Sequence, residues 1–182
     1  MLVSLGEVID FVAMAFIVGY IFSDFFIFNR RTKSAFDIKA ILFAAAITAP
    51  AIVLHELAHK FVAISFGLNA VFHAAYVWLA IGIILKAISP GFIFFVPAFV
   101  SIQGLSTPLT QTVVSVAGPL TNLALFLIAW AVLALNFTSN HKTIFFLKLT
   151  KRINGFLFIL NMVPIPGFDG FHFFTGLYRL FF

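Results

Sequence analysis

Cysteine is absent from this chain, which excludes disulfides and any thiolate metal site. Charge is nearly absent as well. Only 9% of the 182 residues are charged, and six of those are acidic, against 63% hydrophobic. A soluble domain carries roughly 25% charged residues because its surface must face water. The scarcity therefore excludes a water-soluble globule, and with it a disordered chain and a coiled coil. The formal charge of +5 does not point to nucleic acid, because the 11 Lys and Arg stand in short clusters between apolar runs. Membrane proteins use basic residues this way, as orientation signals and interfacial anchors. No basic segment precedes the first apolar run, which carries Glu7 and Asp10 instead. Met1–Phe28 therefore reads as a retained segment rather than a cleaved signal. What the chain does have is 27 Phe and a series of long apolar runs, suited to a hydrocarbon solvent.

The runs set the expected fold. Val8–Phe28, interrupted by Asp10 and Asp24, has the length of one spanning helix. A basic connector, Asn29–Lys39, leads to Ala40–Phe66, which ends at Gly67, a helix C-cap residue. Ala70–Ser89 is apolar and ends at Pro90-Gly91; it reads as a full span or as a re-entrant segment. Phe92–Ile102 is short, aromatic and β-branched, with Pro97 inside. Thr112–Leu135 is a further span, Asn136–Arg152 is a mixed stretch, and Ile153–Val163 is a last apolar run. That run breaks into Pro164-Ile165-Pro166-Gly167-Phe168-Asp169-Gly170. The expected fold is an all-α polytopic membrane protein with about 4–6 transmembrane helices. A short re-entrant extended (β) segment is expected near 92–102. No stretch is polar enough for a soluble accessory domain. The expected organisation is one transmembrane domain, with an extra N-terminal span and connector (1–39), a core (40–172) and a tail (173–182).

One cluster of ionisable residues carries chemistry. His55-Glu56-Leu57-Ala58-His59 is an HExxH pattern inside the second run. On a helix, positions i and i+4 share a face, so both imidazoles reach one metal ion. The intervening Glu sits where it can take a proton from water that zinc acidifies from a pKa of 15.7 to roughly 7. An acidic residue at mid-span costs roughly 2.5–3.5 kcal/mol on insertion scales, so it persists where it has a partner inside the protein. A catalytic zinc needs a third protein ligand and one open position. No acidic residue or histidine follows in helical register, and Lys60 is cationic. The candidates inside apolar sequence are Asp10, Asp24, His73 and Asp169. Asp169 is favoured because Pro164, Pro166, Gly167 and Gly170 break the helix around it and turn the chain. An Asp-Gly pair is also a common turn, so an interfacial turn is the plainer reading of the same residues.

Three motifs together resemble a known family. His55-Glu56-x-x-His59, Ala117-Gly118-Pro119-Leu120-Thr121-Asn122 and Asn161-x-x-Pro164-x-Pro166-x-x-Asp169-Gly170 resemble, in order, the site-2 protease family of intramembrane zinc metalloproteases (M50). The resemblance covers residues from about 40 to 172. It implies Zn2+ held by His55, His59 and Asp169, with Glu56 as general base and acid. Asn122 and Asn161 would be polar helpers that bind substrate backbone or stabilise an oxyanion. It also implies that Phe92–Ile102 holds an edge strand near the site, on which an unwound substrate could add by β-augmentation. The implied partners are the lipid bilayer and a transmembrane segment of another protein, with no nucleic acid, in a multi-pass protein of a cell membrane. A transporter or ion pathway lined by intramembrane charges is the alternative, as is a zinc-binding relative without activity.

Orientation is drawn two ways. Arg30, Arg31, Lys33 and Lys39 share one side with Lys142, Lys148, Lys151 and Arg152, which the positive-inside rule makes cytoplasmic. The resemblance places the zinc nearer the cytoplasm and so favours the opposite side. Outside the cluster, Glu7 and Asp10 share a helix face and read as solvated near an interface. His73 and His141 read as packed or interfacial, and Trp78 and Trp130 as lipid-facing. Orienting Asp169 is the lesser reading of His172, close after the Asp-Gly pair.

Overall fold

A computed structural model describes residues 3–26, 36–88, 96–104 and 107–182. In chain order the elements are α1 (Leu5–Phe22), α2 (Ile38–Ser65), β1 (Asn69–Ala74), α3 (Tyr76–Ile88), β2 (Ala98–Gln103), α4 (Pro108–Ala134), α5 (His141–Asn161) and α6 (Asp169–Phe181). Three stretches are long and apolar enough to cross a membrane: Leu5–Phe25, Ile38–Ser65 and Pro108–Ala134. Val12, Leu42, Leu127, Ile128 and Trp130 stand exposed along them. Such surfaces are unfavourable in water and well solvated by lipid. The protein is therefore an α-helical, multi-pass membrane protein with, among the described residues, one small two-stranded sheet.

Local chemistry explains where the helices begin and end. Ser4 and Glu7 form a capping box at α1. Asp37 Oδ1 accepts from Lys39 N at 3.0 Å ahead of α2. Gly67, at φ 75°, ends α2 as the C-cap pattern predicts. Its N–H reaches the Ile64 carbonyl and that of Leu68 reaches Ala63, a Schellman closure. Asn140 Oδ1 accepts from Lys142 and Thr143 N–H groups, so α5 starts at His141. Most of the mixed stretch Asn136–Arg152 is thus helical, because a good N-cap and helix-forming Lys and Arg outweigh its lack of apolar character.

The stretch after Gly67 is neither a plain span nor a plain loop. It opens as β1 and continues as α3, whose 13 residues rise only about 20 Å, short of a hydrocarbon core of about 30 Å. The extended segment expected near 92–102 is present as β2, Ala98–Gln103; residues 92–95 lie outside the described residues. Ala75 N–H donates to the Pro97 carbonyl, and Gly104 lies against Leu68, so β1 and β2 pair antiparallel.

The chain divides into two compact units, 1–53 with 72–99 and 54–71 with 100–182. In the first, α1 packs on α3 and Phe11 stacks on Phe72 with centroids 4.1 Å apart. Glu7 and Asp10 are not merely solvated. Glu7 Oε1 accepts from Phe72 N at 2.8 Å and Asp10 Oδ2 from Ala74 N at 3.1 Å, while Asp10 Oδ1 accepts from Tyr76 Oη at 2.6 Å. Alternate N–H groups of a strand point to one edge. The two carboxylates therefore satisfy the β1 edge that faces away from β2, where a bare strand edge in lipid would be costly. Replacing Glu7 with alanine strands the buried Phe72 amide and breaks the cap at Ser4. A loss of about 2 kcal/mol is expected, read as a lower midpoint of unfolding in micelles; an unchanged midpoint would contradict this account. Asp24 pairs with Lys86 at 3.3 Å, and the His73 ring lies on Phe99 with centroids 5.5 Å apart. Asp10, Asp24 and His73 thus each have a structural partner in this unit.

In the second unit the C-terminal part of α2 meets α4 and the strands. Ala63, Ala70 and Val114 are buried there among Val62, Ile64, Leu68, Val100 and Ile102. α4 packs in turn against α5 and α6.

Candidate metal centre

The site lies wholly in the second unit and is built from α2, α4, α5 and α6. His55 and His59, one helical turn apart on α2, are both buried. Asp169 is the first residue of α6 and reaches the same point. Its carboxylate arrives there because α6 starts hard against the end of α5. A Cβ on Gly170 would lie 2.5 Å from the Met162 carbonyl carbon and 2.7 Å from the Val163 oxygen, so only glycine permits that approach. Gln111 on α4 holds the next turn, donating from Nε2 to the His172 carbonyl at 3.0 Å. The His172 ring packs on Phe171, with centroids 5.6 Å apart.

Three ligand atoms converge. Asp169 Oδ2 is 3.0 Å from His55 Nε2 and 3.3 Å from His59 Nε2, and the two Nε2 atoms are 3.1 Å apart. The other ring nitrogens decide the chemistry. His59 Nδ1 faces the Val114 carbonyl at 2.7 Å, which can only accept, so Nδ1 carries the proton. His55 Nδ1 faces Asn122 Oδ1 at 2.6 Å in the same sense. In the neutral imidazoles both Nε2 atoms then present lone pairs to each other and to a carboxylate oxygen, and a cation among these three donors would turn their repulsion into attraction. Bonds of 2.0–2.2 Å to a tetrahedral zinc put ligand atoms about 3.3 Å apart, close to the observed separations. The donor set, two imidazoles and one carboxylate, is also one that zinc accepts.

The wall opposite α2 is the backbone of α4 at Gly118-Pro119. A Cβ on Gly118 would lie 2.6 Å from His55 Nε2 and would also overlap His59 Nε2. Pro119, buried within α4, has no N–H to offer the Ser115 carbonyl one turn earlier. Glycine therefore lets α4 approach the ligand atoms directly, and the adjacent Val114 carbonyl orients one of them. Glu56 is half-buried on α2 between the two histidines, close enough to His55, His59 and Asp169 to interact electrostatically with all three.

The two asparagines take different places. Asn122 is fully buried, with Oδ1 on His55 and Nδ2 donating to Asn154 Oδ1 at 2.9 Å. Its carboxamide is hydrogen-bonded on both sides to protein partners, one of them a ligand histidine. Asn161 is half-buried at the end of α5 and is not hydrogen-bonded to the cluster among the described residues. Asn154 and Gly118 have places in the site that sequence reasoning did not give them. Asn154 left one trace, a polar residue seven before Asn161 and so on the same helical face.

Comparison with known proteins agrees with this geometry. No family model and no solved structure matches the chain. It is 32% identical over 168 residues to "Putative zinc metalloprotease MJ0611" of Methanocaldococcus jannaschii, an alignment covering 92% of this chain and 82% of that protein. The chain belongs to the site-2 protease family of zinc metalloproteases. A second relative, "Putative zinc metalloprotease Rip2" of Mycobacterium tuberculosis, is 32% identical over 136 residues. That alignment covers 65% of this chain and 50% of Rip2. The cofactor of the present chain is zinc, and its activity is that of a metalloprotease. Among the described residues, His55, His59 and Asp169 are the group of potential ligands, their atoms all within 4.8 Å of one another.

Proposed function

We propose that this protein hydrolyses peptide bonds within transmembrane segments of other membrane proteins. The observation that carries the reading is the convergence of Asp169 with His55 and His59, which stand on a helix long and apolar enough to cross a membrane. Two histidines and one carboxylate would hold zinc and leave a fourth position for water or substrate. Zinc, when bound, supplies Lewis acidity toward water and toward the scissile carbonyl. The protein's residues do the rest. Val114 and Asn122 hold the histidines in the ligating tautomer. Glu56 takes a proton from the attacking water and delivers it to the leaving amine. Asn161, the last residue of α5 before the turn that bears Asp169, is the polar side chain that contacts the substrate backbone in this reading. A helical substrate hides its scissile carbonyl in its own hydrogen bonds, so it must unwind locally. Extended backbone at β2 suits an unwound segment.

The test is cleavage of a single-span substrate co-reconstituted with the full chain in liposomes. Products cut inside the apolar segment are expected, lost on chelation and restored by zinc. Cuts confined to water-exposed flanks would overturn the intramembrane reading. Ion or solute flux with no hydrolysis would favour the pathway alternative instead.

A further inference from the structure

His59 is held by a backbone carbonyl, which has one possible polarity. His55 is held by a side-chain carboxamide, which has two. If Asn122 presented its NH2 group to Nδ1, the His55 proton would move to Nε2 and point at the metal position. Something must therefore fix the direction of Asn122. Its Nδ2 donates to Asn154 Oδ1 at 2.9 Å, and Asn154 Nδ2 donates to the Thr150 carbonyl at 2.9 Å. That carbonyl can only accept. It forces Asn154 to turn its NH2 group toward Thr150 and its oxygen toward Asn122. Asn122 must then donate to Asn154 and offer its own oxygen to His55. The chain of bonds has one consistent direction, starting from a backbone atom that cannot flip. Asn122 is 0% exposed and Asn154 1%, so no solvent competes for these groups.

We propose that Asn154 is a positioning residue for the metal centre, setting the His55 tautomer through Asn122. The proposal rests on zinc ligation by His55, as in the proposed function. Partners one shell beyond the ligands typically change metal affinity about 10–100-fold, and Asn154 acts one step further out, at the low end of that range.

The full chain in micelles is titrated with zinc against a competing chelator, as wild type and as Asn154→Leu, Asn154→Asp, Asn122→Leu and the Asn122→Leu/Asn154→Leu double variant. In parallel, 15N resonances of labelled histidines report the tautomers of the metal-free protein. Asn154→Leu is expected to weaken zinc binding about tenfold and to shift the His55 signals toward a mixture, leaving those of His59 unchanged. Asn154→Asp keeps an acceptor for Asn122 and restores part of the affinity. The double variant is expected to bind no more weakly than Asn122→Leu alone, since Asn154 acts through Asn122. Wild-type affinity and an unchanged His55 tautomer in Asn154→Leu would overturn the proposal, as would losses that add in the double variant. Should Asn154→Leu fail to fold, the tautomer signals of Asn154→Ala, which also lacks the acceptor, decide: a His55 mixture supports the relay and an unchanged signal sinks it. If the wild type itself binds no zinc, the proposed function fails. If it binds zinc and the Asn154 variants match it, only the relay fails.

Discussion

Alanine at position 118 is expected to abolish zinc binding. The added methyl would sit 2.6 Å from His55 Nε2 and 2.7 Å from its Cδ2, and closer still to His59 Nε2. The clashing atoms are the ligand atoms themselves. The rings have little room to withdraw, because His55 Nδ1 is tied to Asn122 and His59 Nδ1 to the Val114 carbonyl. Relief requires α4 to move away from α2, and that movement takes the Val114 carbonyl with it. The expected loss in zinc affinity exceeds the roughly 100-fold seen when only a ligand's support is removed. Metal analysis of the purified variant checks it, with helix content and elution volume showing that the fold persists. A Gly118→Ala protein that carries wild-type zinc would mean that the histidines are not held as described.

Glu56→Gln probes the chemistry rather than the metal. Glutamine keeps the shape and the bulk of glutamate, and Glu56 is not one of the three converging ligands. Zinc content is therefore expected to stay at the wild-type level. Glutamine cannot take a proton from water, and positioned acid–base catalysis is worth about 10²–10⁴-fold. Cleavage in liposomes should fall by that factor. Retained zinc with lost cleavage separates a protease from an inactive zinc-binding relative, which predicts metal and no turnover in either protein. Unchanged cleavage would remove Glu56 from the mechanism.

Much of this was legible along the chain because membrane sequences restrict their polar residues so strongly. The apolar runs located α2 and α4 to within a few residues but not the start of α5 or the existence of α6, and the i, i+4 histidines at 55 and 59 declared a shared face. Asp169 was one candidate among four, favoured by the helix-breaking residues around it and then by the ordered motifs. The four were separated by contacts over long sequence distances. Asp10 bonds strand β1, Asp24 pairs with Lys86 and His73 packs on Phe99, leaving Asp169 at the histidines. Glu7 and Asp10 looked like a solvated face because a helix pattern cannot show that an unpaired strand edge lies beside it. Asn154 was passed over because an asparagine in an apolar run looks the same whether it serves a neighbouring helix or a ligand.

The sequence by itself determined the solvent, the main spanning helices and the histidine pair, which follow from composition and local periodicity and so depend on near neighbours in the chain; three ordered motifs carried the resemblance to the family. Only the tertiary structure decided the third ligand's arrival, the close approach at Gly118 and the direction of the Thr150–Asn154–Asn122–His55 relay. Each of these is a contact between helices whose residues lie tens of positions apart. Its strength depends on distances of a few tenths of an ångström, which local pattern does not encode.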